Sequence, residues 1–358
     1  STQNDNTMKT LIINPGSTST KLAIYDDLKP VWMSGAHHHV KELAQFHSAL
    51  DQYDFRMAFI RKKLEEGEIE MKFDAIMGRG GLLKPLEGGV YAVNKKMKDE
   101  LLQNESDHVC NLGALLADEL ARECGCKAYI ADPGVVDELQ EVARYTGIPQ
   151  IKRRSLFHAL NSKAVSRKYA ASLGRKYEDM RIIVAHLGGG ISVSAHRYGR
   201  VIDVNNALDG EGPFSTERAG TLPSGELIKL CFSGNYTQDR IRKMIHGKGG
   251  LTAYLGTNDM IAISRWAEDG EEPARTVLDA MLYTVAKQIG AMFVAMDGEV
   301  DAIILTGGIA HSEYCTAEII RRTKYLAPIT VMPGENEIES LAYNAYCLLN
   351  GKIEAKEY

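Results

Sequence analysis

Several short segments of this chain carry glycine and hydroxyl residues that could bind phosphate. Residues 16–21 read G-S-T-S-T-K, which has the small, hydroxyl-bearing residues of a phosphate-binding loop. The P-loop fingerprint, however, needs a second glycine before the lysine and a helix directly after it. Residues 22–27 read L-A-I-Y-D-D, a pattern that favours a strand. The segment therefore predicts a β-hairpin with a hydroxyl-rich tip, where Asn14, Ser17 and Thr18 are candidates to contact phosphate.

Two strands must position that tip. Residues 11–13 and 21–25 are apolar enough to form them, which leaves residues 14–20 as the turn. The sequence Asn-Pro-Gly-Ser is also typical of a turn with no further role. Both interpretations stay open on this segment alone.

A second hairpin of the same kind begins at Arg181. An apolar strand (residues 182–185) leads through His186 to a glycine turn, Gly188, Gly189 and Gly190, and an alternating strand follows from Ile191. A turn at Tyr198-Gly199 then predicts a third strand through Val201 and Ile202. The tip is again small enough to let a backbone approach an anion closely.

A third glycine turn follows the apolar run 302–305, which predicts a buried strand. Thr306, Gly307 and Gly308 come directly after it. Ligands of open α/β sheets lie beyond the carboxyl ends of the strands. A Gly-Gly turn at that place favours a nucleotide base or ribose, which side chains would block.

Both hairpins open long segments that continue into predicted helices, at residues 114–123 and 273–296. The second helix keeps an apolar stripe through Val277, Met281, Val285 and Ile289. The repeated order of hairpin and helices predicts two duplicated α/β domains that face each other across a cleft.

Composition excludes several classes of protein. The chain has 358 residues, 44% of them hydrophobic and 25% charged, which is typical of a soluble globular protein with a sizeable core. A formal charge of −5 argues against nucleic acid or an anionic membrane as the main partner. No apolar run approaches the length that spans a bilayer. The polar residues 1–7 are expected to be a disordered leader or an expression remnant rather than a signal peptide.

Two residue sets look like metal sites but are not predicted to be. The six cysteines are scattered and predict reduced thiols in a cytoplasmic protein. His37, His38 and His39 are consecutive, and adjacent side chains of an extended segment point to opposite faces. These histidines are expected to lie on a strand or loop surface.

Four segments together carry a family resemblance. They read INPGSTSTKLAIY, GRGGLLKPLEGGVY, HLGGGISVSAH and ALDGEGPFSTERAGTLP. The chain resembles the acetate kinase family, within the superfamily of acetate and sugar kinases, actin and heat-shock chaperones, over residues 10–351. The resemblance implies two duplicated ribonuclease-H-like (actin-like ATPase) domains around a central cleft. It implies a domain on the acyl-substrate side, formed by residues 8–157 and 335–358, and a nucleotide-binding domain, formed by residues 158–334. A helix at 341–349 is expected to return to the first of these domains.

The implied activity is reversible transfer of the γ-phosphoryl group of ATP to butyrate, which gives butyryl phosphate and ADP with the help of Mg²⁺. A carboxylate with a pKa near that of Glu, about 4.3, is already ionised at neutral pH, so no general base is required. The family also implies a cytoplasmic homodimer or higher homo-oligomer, with no nucleic acid or membrane partner.

The resemblance assigns tasks to charged residues. Arg218 contacts the transferring phosphoryl group, and Arg79, between glycines, reaches the substrate carboxylate, although its register departs from that of acetate kinases. Asn14 and Glu337 place the metal. Asp132 also serves metal placement, but Asp-Pro-Gly is equally a common turn, and Glu337 alone would suggest only a favourable helix N-terminus.

The resemblance also assigns the histidines and the glycine turns. His158 hydrogen-bonds the transferring group and His186 contacts the nucleotide phosphates, although a lone histidine is more often structural. His108 lies one position away from a third family histidine. The residues implied to bind nucleotide are Asn14, Ser17, Thr18, His186, Gly188, Gly189, Gly190, Gly307 and Gly308.

Substrate length is expected to depend on apolar side chains near these anion contacts, with Leu82, Phe157 and Phe214 as candidates. Because one methylene changes discrimination by only about 1–3 kcal/mol, selectivity should be graded. A kinase for acetate, propionate or branched acids is therefore the first alternative. A non-catalytic ATP-binding module like actin is the second.

Overall fold

A computed structural model describes residues 6–358, so most of the expected leader lies outside the described part. The strands are β1 (Lys9–Pro15), β2 (Ser19–Asp26), β3 (Lys29–His37), β4 (Ala75–Gly78), β5 (Val90–Ala92), β6 (Lys127–Ala131), β7 (Arg181–Leu187), β8 (Ile191–Arg197), β9 (Arg200–Val204), β10 (Ala302–Gly307) and β11 (Ile329–Pro333). The helices are α1 (Val40–Ala44), α2 (Tyr53–Glu66), α3 (Lys95–Leu102), α4 (Leu112–Cys124), α5 (Ala159–Ser172), α6 (Ser224–Cys231), α7 (Gln238–Ile245), α8 (Gly250–Leu255), α9 (Met260–Glu268), α10 (Ala274–Ala295), α11 (Glu313–Thr323) and α12 (Glu337–Leu349).

The described chain divides into two compact units. The first contains residues 6–136 and Asn336–Tyr358, and the second contains Asp137–Glu335. In the first unit, α12 packs against β1 and β4. The carboxyl-terminal helix expected at 341–349 thus belongs with the amino-terminal segment.

The sheet of the first unit has the order β3-β2-β1-β4-β6-β5. β1, β2 and β3 form an antiparallel meander, whereas β4 is parallel to β1 and β6 is parallel to β4. The carboxyl ends of β1, β4 and β6 therefore lie side by side at one edge of the sheet.

The sheet of the second unit repeats this plan, with the order β11-β10-β7-β8-β9. β7, β8 and β9 form the meander, and β10 and β11 run parallel to β7. The two sheets thus share a core of five strands in the same order and directions. This confirms the predicted duplication of α/β domains.

Both hairpins are confirmed, with longer strands than the sequence predicted. The first tip shortens to residues 16–18, because β1 continues to Pro15 and β2 begins at Ser19. The second tip is residues 188–190, as predicted. The predicted helices at 114–123 and 273–296 correspond to α4 and α10, and the predicted strand at 302–305 corresponds to β10.

α10 covers one face of the second sheet. Its residues Leu278, Met281, Val285 and Ile289 are fully buried against the apolar faces of the second sheet and the helices beside it. By length and composition this helix, among the described residues, could also cross a membrane, contrary to the expectation that no segment is long enough. The burial of its apolar stripe in the core accounts for that composition.

The expectation for the three histidines is wrong for His38. His37 and His39 are exposed, but the His38 side chain is buried edge-on against the rings of Phe55 and Phe59. The alternation of an extended segment produces this difference, because it turns the middle residue inward.

All six cysteines are free thiols, in agreement with the sequence prediction of reduced cysteines. Cys110, Cys315 and Cys347 are buried, Cys124 and Cys126 are partly buried, and Cys231 on α6 is exposed.

Candidate functional site

Three of the predicted residues follow neighbouring parallel strands of the first unit. Asn14 lies near the end of β1, Arg79 directly follows β4, and Asp132 directly follows β6. The register pairs Ile13 with Gly78, so Asn14 and Arg79 are side by side at the carboxyl edge of the sheet. This is the edge at which α/β sheets bind ligands.

Asn14, Arg79 and Glu337 form one polar cluster. The Asn14 amide Nδ2 donates to Glu337 Oε2 at 3.0 Å, and Arg79 Nη2 lies 3.5 Å from Glu337 Oε1. Glu337 is the first residue of α12, whose helix dipole favours a carboxylate there. The other amide oxygen, Asn14 Oδ1, is buried and has no hydrogen-bond partner among the described residues.

Asp132 forms hydrogen bonds with the backbone of Gly89. It is buried, its φ is +38°, and its Oδ1 accepts a hydrogen bond from the Gly89 N–H at 2.7 Å. The Gly89 carbonyl in turn accepts from the Asp132 N–H at 3.0 Å. One carboxylate oxygen therefore holds the backbone before β5.

The first hairpin tip is exposed at its hydroxyl residues. Ser17 and Thr18 are solvent-accessible, and the Gly16 N–H closes the turn on the Ser19 carbonyl at 2.8 Å. These residues stand beside Asn14 at the end of β1. The structure thus brings the predicted amino-terminal phosphate contacts together with the Asn14 cluster.

In the second unit, His158 and His186 are stacked. Their ring centroids are 3.9 Å apart and the rings are 7° from parallel. His158 Nδ1 lies 3.0 Å from Ser192 Oγ, and His186 Nδ1 lies 2.9 Å from the Asn161 amide, which also donates to Thr306. With the amide donating to Nδ1, the His186 proton is on Nε2, which lies 3.4 Å from Glu335 Oε2.

Arg218 lies directly against the second hairpin tip. A Cβ atom added at Gly190 would lie 2.0 Å from Arg218 Nη1, so only glycine leaves room for the guanidinium in this position. Arg218 Nη1 also donates to the Ala207 carbonyl at 2.7 Å. Ser215 and Thr216 donate to the Gly189 carbonyl and hold the tip from the same loop.

Gly307 and Gly308 differ in their surroundings. Gly307 has a φ of +89°, and an added Cβ would lie 2.3 Å from the Leu187 carbonyl oxygen, so a side chain is excluded there. Gly307 and Gly334 exchange a pair of backbone hydrogen bonds. An added Cβ at Gly308 would meet nothing within 4 Å, which leaves space beside this turn.

Burial changes the acidity of two groups near these clusters. It lowers the pKa of Arg218, while the nearby Glu217 and Glu335 carboxylates act in the opposite direction. It raises the pKa of the Cys110 thiol to about 11, and the Arg79 and Glu337 charges are close enough to act on that thiol. Cys110 is therefore a neutral thiol at neutral pH.

The remaining sequence candidates lie outside these two clusters. His108 caps a 3-10 turn by accepting from the Cys110 N–H at 3.0 Å. Phe157 is buried, and Phe214 packs on the core of the second unit. Leu82 is partly buried, and its N–H is held by Asn111 Oδ1 at 2.8 Å.

Sequence reasoning missed three residues that support these clusters. Asn161 sets the tautomer of His186, Glu335 faces both His186 and Arg218, and Arg56 lies behind the first hairpin tip. Glu335 stands two residues before Glu337 and could have been noticed from that proximity. For Asn161 and Arg56, helix patterning gives no signal, because charged and amide residues are common on helix surfaces.

Comparison with known proteins agrees with this architecture. A family model described as the acetokinase family matches residues 140–340. A protein of Phocaeicola vulgatus named probable butyrate kinase is 62% identical over 98% of this chain and 99% of that protein. The chain therefore belongs to the acetokinase family.

More distant relatives extend the comparison. Butyrate kinase 2 of Clostridium acetobutylicum is 49% identical over 98% of this chain and 99% of its own length. Among solved structures, the acetate kinase of Porphyromonas gingivalis superposes with a TM-score of 0.76 at 18% identity, covering 96% of this chain and 100% of that one. A propionate kinase of Francisella tularensis gives a TM-score of 0.73 at 18% identity, covering 94% and 98%. At this identity the structures show a shared fold, which is the actin-like ATPase fold predicted from the sequence.

Proposed function

We propose that this protein is a butyrate kinase, which interconverts butyrate and ATP with butyryl phosphate and ADP. The observation that carries the proposal is the extent of the match to Butyrate kinase 2 of Clostridium acetobutylicum, 49% identical along 98% of this chain. A match of that length includes every motif segment, and the residues of both polar clusters lie within it.

The reaction asks for positioning and charge stabilisation rather than for a base. A carboxylate oxygen of butyrate attacks the γ-phosphorus, the bond from that phosphorus to the bridging β–γ oxygen breaks, and ADP leaves with the electron pair. No proton is transferred in this step, because the carboxylate is already ionised at neutral pH. The protein therefore has to hold two anions and neutralise the charge on the phosphoryl oxygens.

Asn14 and Glu337 would hold Mg²⁺ in this proposal. The unpartnered, buried Asn14 Oδ1 and the Glu337 carboxylate beside it are hard oxygen ligands of the kind that Mg²⁺ prefers. The described residues include no cluster of three or more His, Cys, Asp or Glu that could hold a metal, which fits an ion bound through one or two protein oxygens and the substrate phosphates. When bound, Mg²⁺ would neutralise phosphate charge and withdraw electrons from the transferring group.

Arg79 would bind the carboxylate of butyrate. Its side chain is 33% exposed, and it meets Glu337 through Nη2. A guanidinium offers donors on two edges, so Arg79 can keep that ion pair while it donates to a substrate carboxylate. Asp132 would support the metal indirectly, since its carboxylate holds the backbone N–H of Gly89, in the segment that follows Arg79.

Arg218, His158 and His186 would act on the phosphates. The Arg218 guanidinium can donate paired hydrogen bonds to phosphoryl oxygens, and its position against Gly190 places it at the second hairpin tip. The stacked histidines would donate to the same anionic group, with the His186 proton on Nε2. Gly188, Gly189, Gly307 and Gly308 would let the nucleotide approach the backbone.

Measurement of acyl phosphate formation tests the proposed function. Hydroxylamine traps acyl phosphates as hydroxamates, so ATP-dependent hydroxamate formation can be followed for acetate, propionate, butyrate, isobutyrate and valerate. We expect a maximum of kcat/KM at butyrate, with neighbouring acids lower by roughly tenfold for each methylene. A maximum at acetate would contradict the butyrate assignment.

A second measurement separates a kinase from a nucleotide-binding module. The kinase predicts that butyrate stimulates ADP release, and reactions without carboxylate serve as the control. ATP binding without carboxylate-stimulated ADP release would instead favour the non-catalytic alternative. The homo-oligomeric state and the cytoplasmic location stay predictions. The roles of Leu82, Phe157 and Phe214 in selecting the length of the substrate also stay predictions.

A further inference from the structure

Arg56 of α2 lies behind the first hairpin tip and is fully buried. Its Nη1 donates to the Ser19 carbonyl at 2.5 Å and to Thr20 Oγ1 at 3.0 Å. Its Nη2 donates to the Ser17 carbonyl at 3.3 Å. One guanidinium thus holds the Ser17 carbonyl inside the tip and the Ser19 carbonyl directly after it.

The buried charge of Arg56 has no carboxylate partner within ion-pair distance among the described residues. The Gln52 amide oxygen, one turn earlier on α2, accepts from both Nε and Nη2. Burial lowers the pKa of Arg56 to about 10, so the side chain stays protonated at neutral pH. A buried cation without a counterion is costly to a fold unless an anion offsets it.

The neighbouring histidine does not share this charge. Burial lowers the pKa of His38, and the Arg56 cation lowers it further. Because Thr20 Oγ1 accepts from Arg56, its own hydroxyl proton is available to His38 Nε2, which lies 2.7 Å away. Arg56 is therefore the cation of this buried network.

These contacts orient the tip for an anion. In a trans peptide the carbonyl and the following N–H point in opposite directions. Because the Ser17 carbonyl turns toward Arg56, the Thr18 N–H turns away from it, and no described residue accepts from that N–H. The Ser17 and Thr18 side chains are exposed on the same tip. An outward N–H beside two hydroxyls is the arrangement that binds phosphate oxygens.

We propose that Arg56 is a positioning residue for phosphate binding by the first hairpin. It fixes the backbone of the tip and supplies from behind a positive charge that the bound phosphate offsets. This inference rests on the proposed function for its kinetic test, but MgATP binding tests it independently.

The experiment compares Arg56→Met and Arg56→Lys with Arg61→Met. Arg61 lies on the same helix, where it pairs with Glu123 and is 43% exposed, so its replacement is a matched control. We measure the Kd of MgATP by calorimetry, kcat, the KM values of ATP and butyrate, and thermal unfolding. Arg56→Met should weaken MgATP binding at least tenfold and leave the butyrate KM within twofold, with Arg56→Lys intermediate and Arg61→Met unchanged.

The outcomes separate a positioning role from a structural one. If Arg56→Met is too unstable to assay, Arg56→Lys decides, because it keeps the charge but loses the fork that holds both carbonyls. A folded Arg56 variant with wild-type affinity for MgATP would overturn the proposal, and so would equal losses for ATP and butyrate. If the wild-type protein shows no butyrate-dependent ADP release, the proposed function fails, while MgATP binding to the variants still decides the role of Arg56.

Discussion

The two hairpin tips share a topology but are supported by arginines in opposite ways. The first tip carries hydroxyl residues, and Arg56 holds its carbonyls from the buried side. The second tip consists of glycines, and the Arg218 side chain lies directly against Gly190. The same sheet plan thus accommodates a tip that an arginine holds from behind and a tip whose glycine makes room for an arginine side chain from elsewhere in its unit.

The largest expected effect follows from removal of the second tip's arginine. Arg218→Ala should lower kcat by about 1,000-fold, because a guanidinium that stabilises a transferring phosphoryl group contributes that much or more. The KM of ATP should change by less than about fivefold, since ground-state binding also uses the glycine turns. Steady-state kinetics measure both quantities. Wild-type turnover would refute the role assigned to Arg218.

On the first unit, Arg79→Gln should act on the carboxylate rather than on ATP. We expect kcat/KM for butyrate to fall by about 100-fold, because hydrogen bonds to a charged group contribute about 1.5–3 kcal/mol. Arg79→Lys should recover part of this loss, and the KM of ATP should stay within twofold. A rise confined to the KM of ATP would show that Arg79 serves the nucleotide instead.

A smaller effect distinguishes neighbouring glycines of the second tip. Gly190→Ala places a methyl group where Arg218 Nη1 lies, whereas the nearest atom to a Cβ at Gly189 is Thr216 Oγ1 at 3.9 Å. Because the flexible end of Arg218 can move aside, we expect Gly190→Ala to lower kcat about tenfold with little change in the free energy of unfolding. Gly189→Ala should leave kcat unchanged and raise the KM of ATP, because Gly189 is proposed to let the nucleotide approach the backbone. Equal kcat values of the two variants would contradict the importance of the contact between Gly190 and Arg218.

The smallest expected effect concerns the buried histidines of the two meanders. His196 of β8 and His38 after β3 both have a pKa lowered by burial, and that of His196 is well below its usual value, with Lys163 and Arg167 adding to the effect. Below pH 6.5 the unfolded chain binds protons that the folded chain does not. The free energy of unfolding should therefore decrease as the pH is lowered below 6.5, by at most about 1.4 kcal/mol per pH unit for each histidine.

Urea unfolding between pH 7 and 5 tests this expectation. His196→Gln should reduce the pH dependence of the free energy of unfolding more than His38→Gln, because the pKa of His196 is lowered further. Identical slopes for the wild-type protein and both variants would show that other groups control acid stability.

The sequence predicted the parts of the fold that depend on local patterns. The alternating residues of β8, the glycine turn before it and the apolar stripe of α10 are visible in the chain without any long-range information. Within the candidate site, a motif in the sequence marks Asn14, Arg218 and Gly190, and their roles stay predictions. Arg56 and Arg61 look alike on α2, yet one is fully buried and the other is paired at the surface. That difference is set by which face of the helix meets the sheet, and the helix sequence has no strong apolar face to show it.

The six thiols have a practical consequence for measurements in solution. The exposed Cys231 on α6 should react first with a maleimide, since Cys110 and Cys315 are buried and burial raises the pKa of both thiols. Burial also raises the pKa values of Cys124 and Cys126, the latter to about 11. A fluorophore could therefore be attached at Cys231, in the second unit of the unmodified sequence, without first replacing the other cysteines.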